Sequence, residues 1–347
     1  MKRVLYISNI EVPYRTEFFN QLSNAIDLTV LYERRKSSNR DEKWVSSVIS
    51  KYKIKFLKGF KIKNEYCFDL RILKEVFSKK YDRVIIGCYN SPSQMLAIFF
   101  MKLFKKKYIL NLDGEYFFDG KSLKKKIKRF FIKGAEQYLI AGEKSGKILS
   151  KYVKSEKVHP YYFSSLTKKE IVENSKKINQ NINDKVLVVG QYYDYKGLDI
   201  SLEVAKLDQT IKYKFVGSGN RSRLLEDKVK KMGLKNVEII PFLSKSELYK
   251  EYQECRCLLL TSRRECWGLV INEAASFGCP IVASCGSGAA VEMLNYDDLI
   301  KSPINAKEYL YAINNISEDK IRIIRKSQKY NIEKNVEIFV NVVEGYV

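Results

Sequence analysis

Short segments rich in β-branched and aromatic residues alternate with helical patterns along most of the chain, which is typical of parallel sheets covered by helices on both faces. The strand candidates fall into two series: Val4–Ser8, Leu28–Tyr32, Arg83–Gly87, Tyr108–Asn111 and Tyr138–Ala141, then Lys185–Val189, Tyr213–Gly217, Val237–Pro241, Cys257–Leu260 and Pro280–Ala283. A polar stretch over 168–184 separates them. We therefore predict two doubly wound, Rossmann-like α/β domains, at 1–170 and 180–330, facing each other across a cleft. A C-terminal helix over 331–347 can return to the first domain.

Composition limits the class of protein. The 347 residues are 45% hydrophobic, which suffices for packed cores and excludes a disordered chain. The longest apolar run, Met95–Met101, is too short to span a bilayer, and a strand pattern begins at Arg3, so we expect no signal peptide. We expect the seven cysteines to be reduced and mostly buried. Cys255-x-Cys257 and a single histidine, His159, argue against a zinc site, and we interpret His159 as structural.

The net charge of +23 is unevenly distributed. Residues 1–180 contain 39 Lys and Arg against 18 Asp and Glu, whereas residues 181–347 contain 24 against 22. A basic first half indicates an anionic partner there: nucleic acid, lipid headgroups or a diphosphate. Compositional drift in a lysine-rich proteome is the alternative. No recognised nucleic-acid module is present and the cations are mostly lysines, so we expect no nucleic-acid partner.

The segment Lys121–Lys133 predicts a basic amphipathic helix. Its apolar stripe consists of Leu123, Ile127, Phe130 and Phe131, and its cations are Lys124, Lys125, Lys128 and Arg129. Two interpretations remain open at this point. The stripe could pack on the domain core, or the helix could lie on an anionic membrane surface.

Chemistry-bearing residues concentrate in loops of the second half. Gly190-Gln191 follows a strand, and Lys196-Gly197 opens a helix, an arrangement that suits an anion. Gly217-x-Gly219 lacks the third glycine of a dinucleotide fingerprint but still permits close backbone approach. Two carboxylates, Glu265 and Glu273, flank a Gly turn that enters a helix. Carboxylates at these positions suit a ligand with hydroxyl groups, which donate hydrogen bonds to them. Together these features suit a ligand with a diphosphate in the middle and polyols at both ends, which is a nucleotide sugar.

These motifs, together with Leu234–Phe242 and Gly278–Ser284, resemble the retaining glycosyltransferases of family 4, which have the GT-B fold. The resemblance covers roughly 185–300 and implies that Lys196 holds the donor diphosphate, Glu265 the transferred sugar and Glu273 the ribose. It implies a donor site that also includes Gly190, Gln191, Gly217, Gly219, Phe242 beside the base, Arg264, and the turn residues Cys266, Trp267, Gly268 and Leu269.

The chain departs from the family pattern at Gln191, where many members carry an arginine that shares the diphosphate. Arg263, Arg264 or Arg15 are candidates to compensate. In the first half, Asn9–Phe18 resembles the first loop and helix of polysaccharide-assembly members, so Tyr14 and Arg15 are expected to contact the acceptor or phosphate. Asp113 follows a strand and is expected to contact the donor sugar or acceptor hydroxyl; a turn-initiating aspartate is the alternative.

The sequence thus predicts a retaining hexosyltransferase that uses a nucleotide sugar, with UDP favoured, and a lipid-linked glycan or polysaccharide acceptor in surface-glycan synthesis. No Asp-x-Asp pair occurs, so we expect neither metal nor other cofactor. Catalysis is assigned to Glu265, Lys196 and Asp113. A catalytically silent glycan-binding or scaffold protein of the same fold is the alternative. We expect a cytoplasmic protein, peripheral on the inner face of the cell membrane, while the oligomeric state stays open.

Overall fold

The computed structural model describes residues 1–35, 49–62, 66–113, 123–177, 183–217, 219–294, 299–300, 302–316 and 319–346. The chain divides into two compact units. The first contains Met1–Phe163 and Ile332–Val347, and the second contains Ser164–Asn331. Along the chain the second unit begins after Phe163, whereas the sequence predicts domains at 1–170 and 180–330.

The first unit is a parallel sheet with helices between its strands. Its elements are β1 (Arg3–Ile10), α1 (Pro13–Leu22), β2 (Asp27–Arg34), β3 (Lys53–Phe56), β4 (Phe60–Ile62), β5 (Tyr66–Phe68), α2 (Arg71–Val76), β6 (Arg83–Ile86), α3 (Pro92–Leu103), β7 (Ile109–Leu112), α4 (Leu123–Ile132), β8 (Gln137–Ala141), α5 (Glu143–Leu149) and β9 (Val158–Tyr161). Seven strands pair in the order β3-β2-β1-β6-β7-β8-β9, and β4 and β5 form a separate antiparallel hairpin.

The second unit repeats this plan with six parallel strands. Its elements are α6 (Lys168–Ser175), β10 (Asn183–Val189), α7 (Leu198–Leu207), β11 (Lys212–Val216), α8 (Ser222–Met232), β12 (Val237–Ile240), α9 (Lys245–Glu254), β13 (Cys255–Leu260), α10 (Leu269–Ser276), β14 (Ile281–Ser284), α11 (Gly288–Met293), β15 (Leu299–Ile300), α12 (Ala306–Asn314) and α13 (Lys320–Ser327). The strand order is β12-β11-β10-β13-β14-β15. The predicted pair of doubly wound α/β domains is confirmed.

Central strands such as β1 and β13 contain continuous apolar runs, as expected for strands whose two faces are both covered by helices. Val4 to Ile7 are fully buried in β1, and Leu258 to Leu260 are buried in β13. Helix ends are set by local signals such as the capping box of Ser244 and Glu247 at the start of α9. Packing and capping together fix which strand ends carry the loops that matter below.

The order of strands reverses once in each sheet, between β1 and β6 and between β10 and β13. Loops after these strands diverge and leave a crevice at the carboxyl edge, which is where ligands bind in such sheets. In the second unit those loops begin at Gly190 and Thr261, so they contain most of the predicted site residues.

The last helix, α14 (Ile332–Glu344), belongs to the first unit. Phe339 packs against Phe18 and Tyr161, with ring centroids 4.9 and 5.1 Å apart. The Asn335 side-chain oxygen accepts a hydrogen bond of 2.8 Å from the Tyr162 backbone N–H. Within the described ranges, no helix is both long and apolar enough to cross a membrane.

Candidate functional site

The loop after β10 is fixed to the end of β13 by close backbone contact at Gly197. Gly197 has a φ of +67°, and a Cβ atom there would lie 2.1 Å from the carbonyl oxygen of Thr261. Only glycine fits such a position. The Thr261 hydroxyl donates to the Gly197 carbonyl oxygen over 2.7 Å. This contact holds the neighbouring Lys196 beside the carboxyl end of β13.

Lys196 and Glu265 form a direct ion pair although they are 69 positions apart in the sequence. The Lys196 ammonium contacts Oε1 of Glu265, and the Ser262 hydroxyl donates to Oε2 over 3.0 Å. The two side chains are only 19% and 13% exposed, so water screens the pair weakly. The structure therefore brings together two of the predicted catalytic residues, and adds Ser262, which no motif marked.

Gly268 begins the turn into α10 in the left-handed region, with a φ of +101°. A Cβ atom there would lie 2.7 Å from Oγ of Ser287, whose hydroxyl donates to the Trp267 carbonyl oxygen over 2.6 Å. Trp267 is buried, and its indole N–H donates to Asn272 over 2.9 Å. Helix α10 then starts at Leu269, and its first N–H groups have no partner within the helix. The positive end of this helix dipole lies next to Glu265 in the chain.

Two glycine loops form the neighbouring part of the site. A Cβ atom at Gly217, which has a φ of +92°, would lie 3.6 Å from the Gly190 carbonyl oxygen. A Cβ atom at Gly190 would lie 3.8 Å from Cδ of Lys196, and one at Gly219 would lie 3.8 Å from Nε2 of Gln191. The two glycine motifs thus lie side by side, and Gly190 contacts the Lys196 side chain.

Aromatic and cationic side chains follow these loops. Phe242 is half-buried after β12, and the Gly219 N–H donates to the adjacent Pro241 carbonyl oxygen over 3.2 Å. The Arg221 guanidinium lies 4.2 Å from the ring centroid of Tyr193. Sequence analysis missed Arg221 because it lies in no motif, yet it follows directly on the second glycine loop.

Glu273 lies inside α10 with a hydroxyl donor on each carboxylate oxygen. Ser165 donates to Oε1 and Tyr252 donates to Oε2, both over 3.2 Å. Burial raises the pKa of the Glu273 carboxyl, and the positive charge of Lys245 and the two hydroxyls offset this only in part. Neither hydroxyl residue was predicted, because each belongs to a segment outside the motifs. Glu273 is therefore a half-buried acid held in one orientation.

The cations considered as substitutes for an arginine at position 191 lie in different surroundings. Arg263 forms a two-pronged ion pair with Asp199, at 2.7 and 2.6 Å. Its charge is therefore already neutralised by this carboxylate. Arg264 and Cys266 are exposed, and the Arg264 backbone N–H donates to the Tyr195 carbonyl oxygen over 3.2 Å.

In the first unit, Arg15 is buried and forms an ion pair with Asp113, with Nη2 2.5 Å from both carboxylate oxygens. The Tyr161 hydroxyl donates to Asp113 over 3.0 Å, and Arg15 donates to the Tyr6 hydroxyl over 2.9 Å. Burial alone would lower the pKa of Arg15, but the Asp113 carboxylate holds it above the ordinary value. Arg15 thus neutralises Asp113, and Tyr14 is half-buried next to it in sequence.

Helix α4 is present, but most of its predicted apolar stripe does not pack on the domain core, so the core-packing interpretation holds only for Phe131. Lys128 and Arg129 lie over tyrosine rings of their own unit, 5.5 and 5.3 Å from the ring centroids. The side chains of Lys124 and Lys125 lie outside the described residues. Most of the predicted apolar stripe is exposed, and only Phe131 packs against the core.

Histidine and cysteine chemistry is limited in the part of the chain that the structure describes. No group of three or more His, Cys, Asp or Glu side chains in that part could hold a metal ion. All seven cysteines are free, and four of them are buried, including Cys255 and Cys257. His159 accepts or donates one hydrogen bond of 2.9 Å with Gln137 on the neighbouring strand, and burial lowers its pKa.

Residues 170–337 match the family described as glycosyl transferases group 1. The match covers just under half of the chain. Among curated proteins, the chain is 26% identical to the uncharacterized glycosyltransferase MJ1178 of Methanocaldococcus jannaschii, over 72% of this chain and 70% of that protein. It is 27% identical to an uncharacterized 41.2 kDa protein in the cps region of Klebsiella pneumoniae, over 67% and 70% respectively.

Among solved structures, Alr3699/HepE of Anabaena in complex with UDP and glucose is similar to this chain. The TM-score is 0.71 at 14% identity, over 99% of this chain and 100% of that one. The architecture is therefore the GT-B fold, as predicted. The family match and the fold together support glycosyltransferase activity.

Proposed function

We propose that the protein is a retaining family 4 glycosyltransferase that moves a sugar from a UDP-sugar to an acceptor hydroxyl. One observation carries this proposal: the Lys196–Glu265 pair lies among glycine loops and beside the N-terminus of α10. A cation and backbone N–H groups suit a diphosphate, and the carboxylate suits sugar hydroxyls. The complexes of HepE with UDP and with UDP-glucose support the choice of donor.

In the proposed reaction the acceptor oxygen bonds to the anomeric carbon as the bond from that carbon to the diphosphate oxygen breaks. Attack from the face of the leaving group retains the configuration, and the acceptor proton passes to a phosphate oxygen. Lys196 stabilises the growing negative charge, because its ammonium can turn to the phosphate when the sugar hydroxyls take its place on the Glu265 carboxylate. Glu265 orients the sugar and stabilises positive charge at the reacting carbon. Glu273 accepts hydrogen bonds from the ribose.

Metal independence is part of the proposal. The sequence has no Asp-x-Asp pair, and Lys196 together with helix N–H groups can take over charge neutralisation of the leaving group. Turnover should be unchanged after EDTA treatment. Loss of turnover in EDTA that manganese restores would contradict this part.

The acceptor is proposed to be a lipid-linked glycan or polysaccharide, reached from the inner face of the cell membrane. The basic charge of residues 1–180 supports this, as does similarity to a protein in the cps region of Klebsiella pneumoniae and to WaaG, a glycosyltransferase involved in lipopolysaccharide biosynthesis. We also propose that Asp113 and Tyr14 contact this acceptor. Arg15 then acts by positioning Asp113.

A panel of nucleotide sugars, scored by thermal shift and by donor turnover, tests the function. We expect one UDP-sugar to raise the melting temperature and to be consumed, and Glu265→Gln to abolish most of the turnover. Stabilisation by a UDP-sugar without any turnover, in the presence of lipid-linked and polysaccharide acceptors, would favour a catalytically silent scaffold protein.

A further inference from the structure

A continuous apolar surface runs over the outer faces of α3 and α4 in the first unit. It consists of five large side chains that are 45–73% exposed: Phe99, Leu103, Leu123, Ile127 and Phe130. Neighbours along each helix are spaced three or four residues apart and so share one face. The two helices meet where the rings of Phe99 and Phe130 lie 6.4 Å apart. We call these five residues the α3–α4 surface.

The α3–α4 surface is not needed to attach either helix to its domain. Helix α3 already buries Ala97, Ile98 and Met101 in the core of the first unit. Helix α4 buries Ile132 fully and packs Phe131 against the same core. A patch of five exposed large apolar side chains is typical of a surface that binds a protein, a membrane or a ligand.

Both helical segments that form this surface are strongly basic, although Lys107 is paired with Glu136. Residues 92–107 contain four lysines and residues 123–133 contain six Lys or Arg, while neither segment contains Asp or Glu. The Lys102 ammonium lies 3.7 Å from the ring centroid of Phe130, and Lys126 and Lys133 are exposed. An apolar patch with a cationic border complements the boundary between acyl chains and anionic headgroups.

We propose that the α3–α4 surface docks the protein on a bilayer that contains anionic lipid. The five apolar side chains enter the headgroup–acyl boundary, and the surrounding lysines contact lipid phosphates. The inference deepens the proposed function, because it names the surface through which a membrane-bound acceptor would be approached. It concerns docking alone, so it can hold or fail whatever the enzyme transfers.

The test measures binding of the purified full chain to phosphatidylcholine vesicles with and without phosphatidylglycerol, by flotation, with no donor or acceptor present. We expect binding only to the anionic vesicles, weakened by salt. Leu123→Ser with Ile127→Ser should lower the partition coefficient about tenfold or more. Lys126→Glu with Lys133→Glu should lower it at least about fivefold.

Helix α13 provides a matched control, because it too has an exposed isoleucine, Ile321, among exposed cations. Ile321→Ser with Arg325→Glu should leave vesicle binding unchanged, and melting temperatures should show that all variants are folded. Equal loss of binding in this control, or no loss in the α3–α4 variants, would overturn the proposal. A wild-type dimer that dissociates in Ile127→Ser, together with no binding of the wild type to vesicles, would also overturn the proposal. The α3–α4 surface would then join two copies of the chain.

A second measurement does not depend on loss of binding. Leu123 is 73% exposed, so Leu123→Trp should fold normally. Its fluorescence should shift to the blue, and brominated lipid should quench it, when anionic vesicles are added. Unchanged emission from vesicle-bound protein would contradict insertion of this surface. An active enzyme that does not bind anionic vesicles would refute the docking inference but not the proposed function. Protein that binds vesicles but does not turn over the donor would refute the proposed function but not the docking inference.

Discussion

Replacing Glu265 with glutamine should separate donor binding from catalysis. The Glu265 carboxylate neutralises Lys196, the cation proposed to receive the diphosphate. Glutamine keeps the shape of the side chain and one carbonyl acceptor but removes the negative charge. Lys196 is then free to act on phosphate, while the sugar loses its charged partner. We therefore expect Glu265→Gln to bind UDP more tightly and to transfer sugar far more slowly.

The size of the effect follows from the partial burial of the pair. Two unit charges about 4 Å apart attract by roughly 4 kcal/mol at an effective dielectric constant of about 20. Desolvation of both groups offsets part of this attraction. If about a third of this attraction, roughly 1.4 kcal/mol, is instead realised between Lys196 and the diphosphate, the Kd for UDP falls about tenfold. Loss of one electrostatic group at the reacting centre lowers kcat by about 10²–10³.

Calorimetric titration with UDP and single-turnover kinetics with the UDP-sugar measure the two effects on the same preparation. Glu251→Gln is a suitable control, because Glu251 forms ion pairs with Lys185 and Lys214 in which the side chains are similarly buried, at 14–19% exposure. Lys185 lies near the start of β10, at the sheet edge opposite Gly190. This control should lose stability but keep UDP affinity. Weaker UDP binding in Glu265→Gln, or near-normal turnover, would refute the assigned roles.

Three further predictions concern acidic side chains that are buried or half-buried. Glu273→Ala should raise the KM for the donor more than it lowers kcat, and Tyr252→Phe should reduce the preference for UDP over 2′-deoxy-UDP, because its hydroxyl positions the carboxylate; an unchanged preference would mean that Tyr252 is merely structural. Burial raises the pKa of Glu33 from 4.5 to about 7. The protonated acid therefore stabilises the fold fully below about pH 4.5, and this contribution of roughly 3 kcal/mol is lost as the pH rises through 7. Denaturant titrations from pH 4 to 9 should show this loss in the wild type and not in Glu33→Gln; parallel curves would contradict it. Asp113→Asn leaves the buried Arg15 without a counter-charge and should lower the free energy of unfolding, by less than the about 3–5 kcal/mol of a fully buried pair because Asp113 is 40% exposed. Removing both charges in Arg15→Met with Asp113→Asn should recover part of this loss, and additive losses would argue against the pair.

The sequence predicted the inner strands and the loops after them, because those strands are uninterrupted apolar runs between helical patterns. It missed the edge strands β3 and β9. Strand β3 alternates lysine with apolar residues, and β9 contains Pro160, so each departs from the pattern of a central strand. Charges and proline are tolerated there because an edge strand leaves part of its backbone unpaired.

Within the candidate site, sequence analysis identified residues but not their contacts. Lys196 and Glu265 belong to separate motifs, and a sequence carries no distance between motifs. Their contact depends on the approach of Gly197 to Thr261, which is a property of the folded backbone. Ser165 and Tyr252 were missed for the same reason, since only the fold brings a residue before α6 and one on α9 to Glu273.

The ion pair also bears on the unusual Gln191. The loop after β10 lacks the arginine that many family members carry, and Arg263 is neutralised by Asp199. Lys196 is itself neutralised by Glu265, so this site offers a diphosphate little net positive charge until the pair opens. Free UDP offers phosphate to the Lys196 ammonium but no transferred-sugar hydroxyls to the Glu265 carboxylate. A UDP-sugar supplies hydroxyls for the carboxylate as well as phosphate for the ammonium, so the intact donor opens the pair at lower cost than its product. A site arranged in this way favours substrate over UDP, and the absence of a second fixed cation at position 191 strengthens that preference.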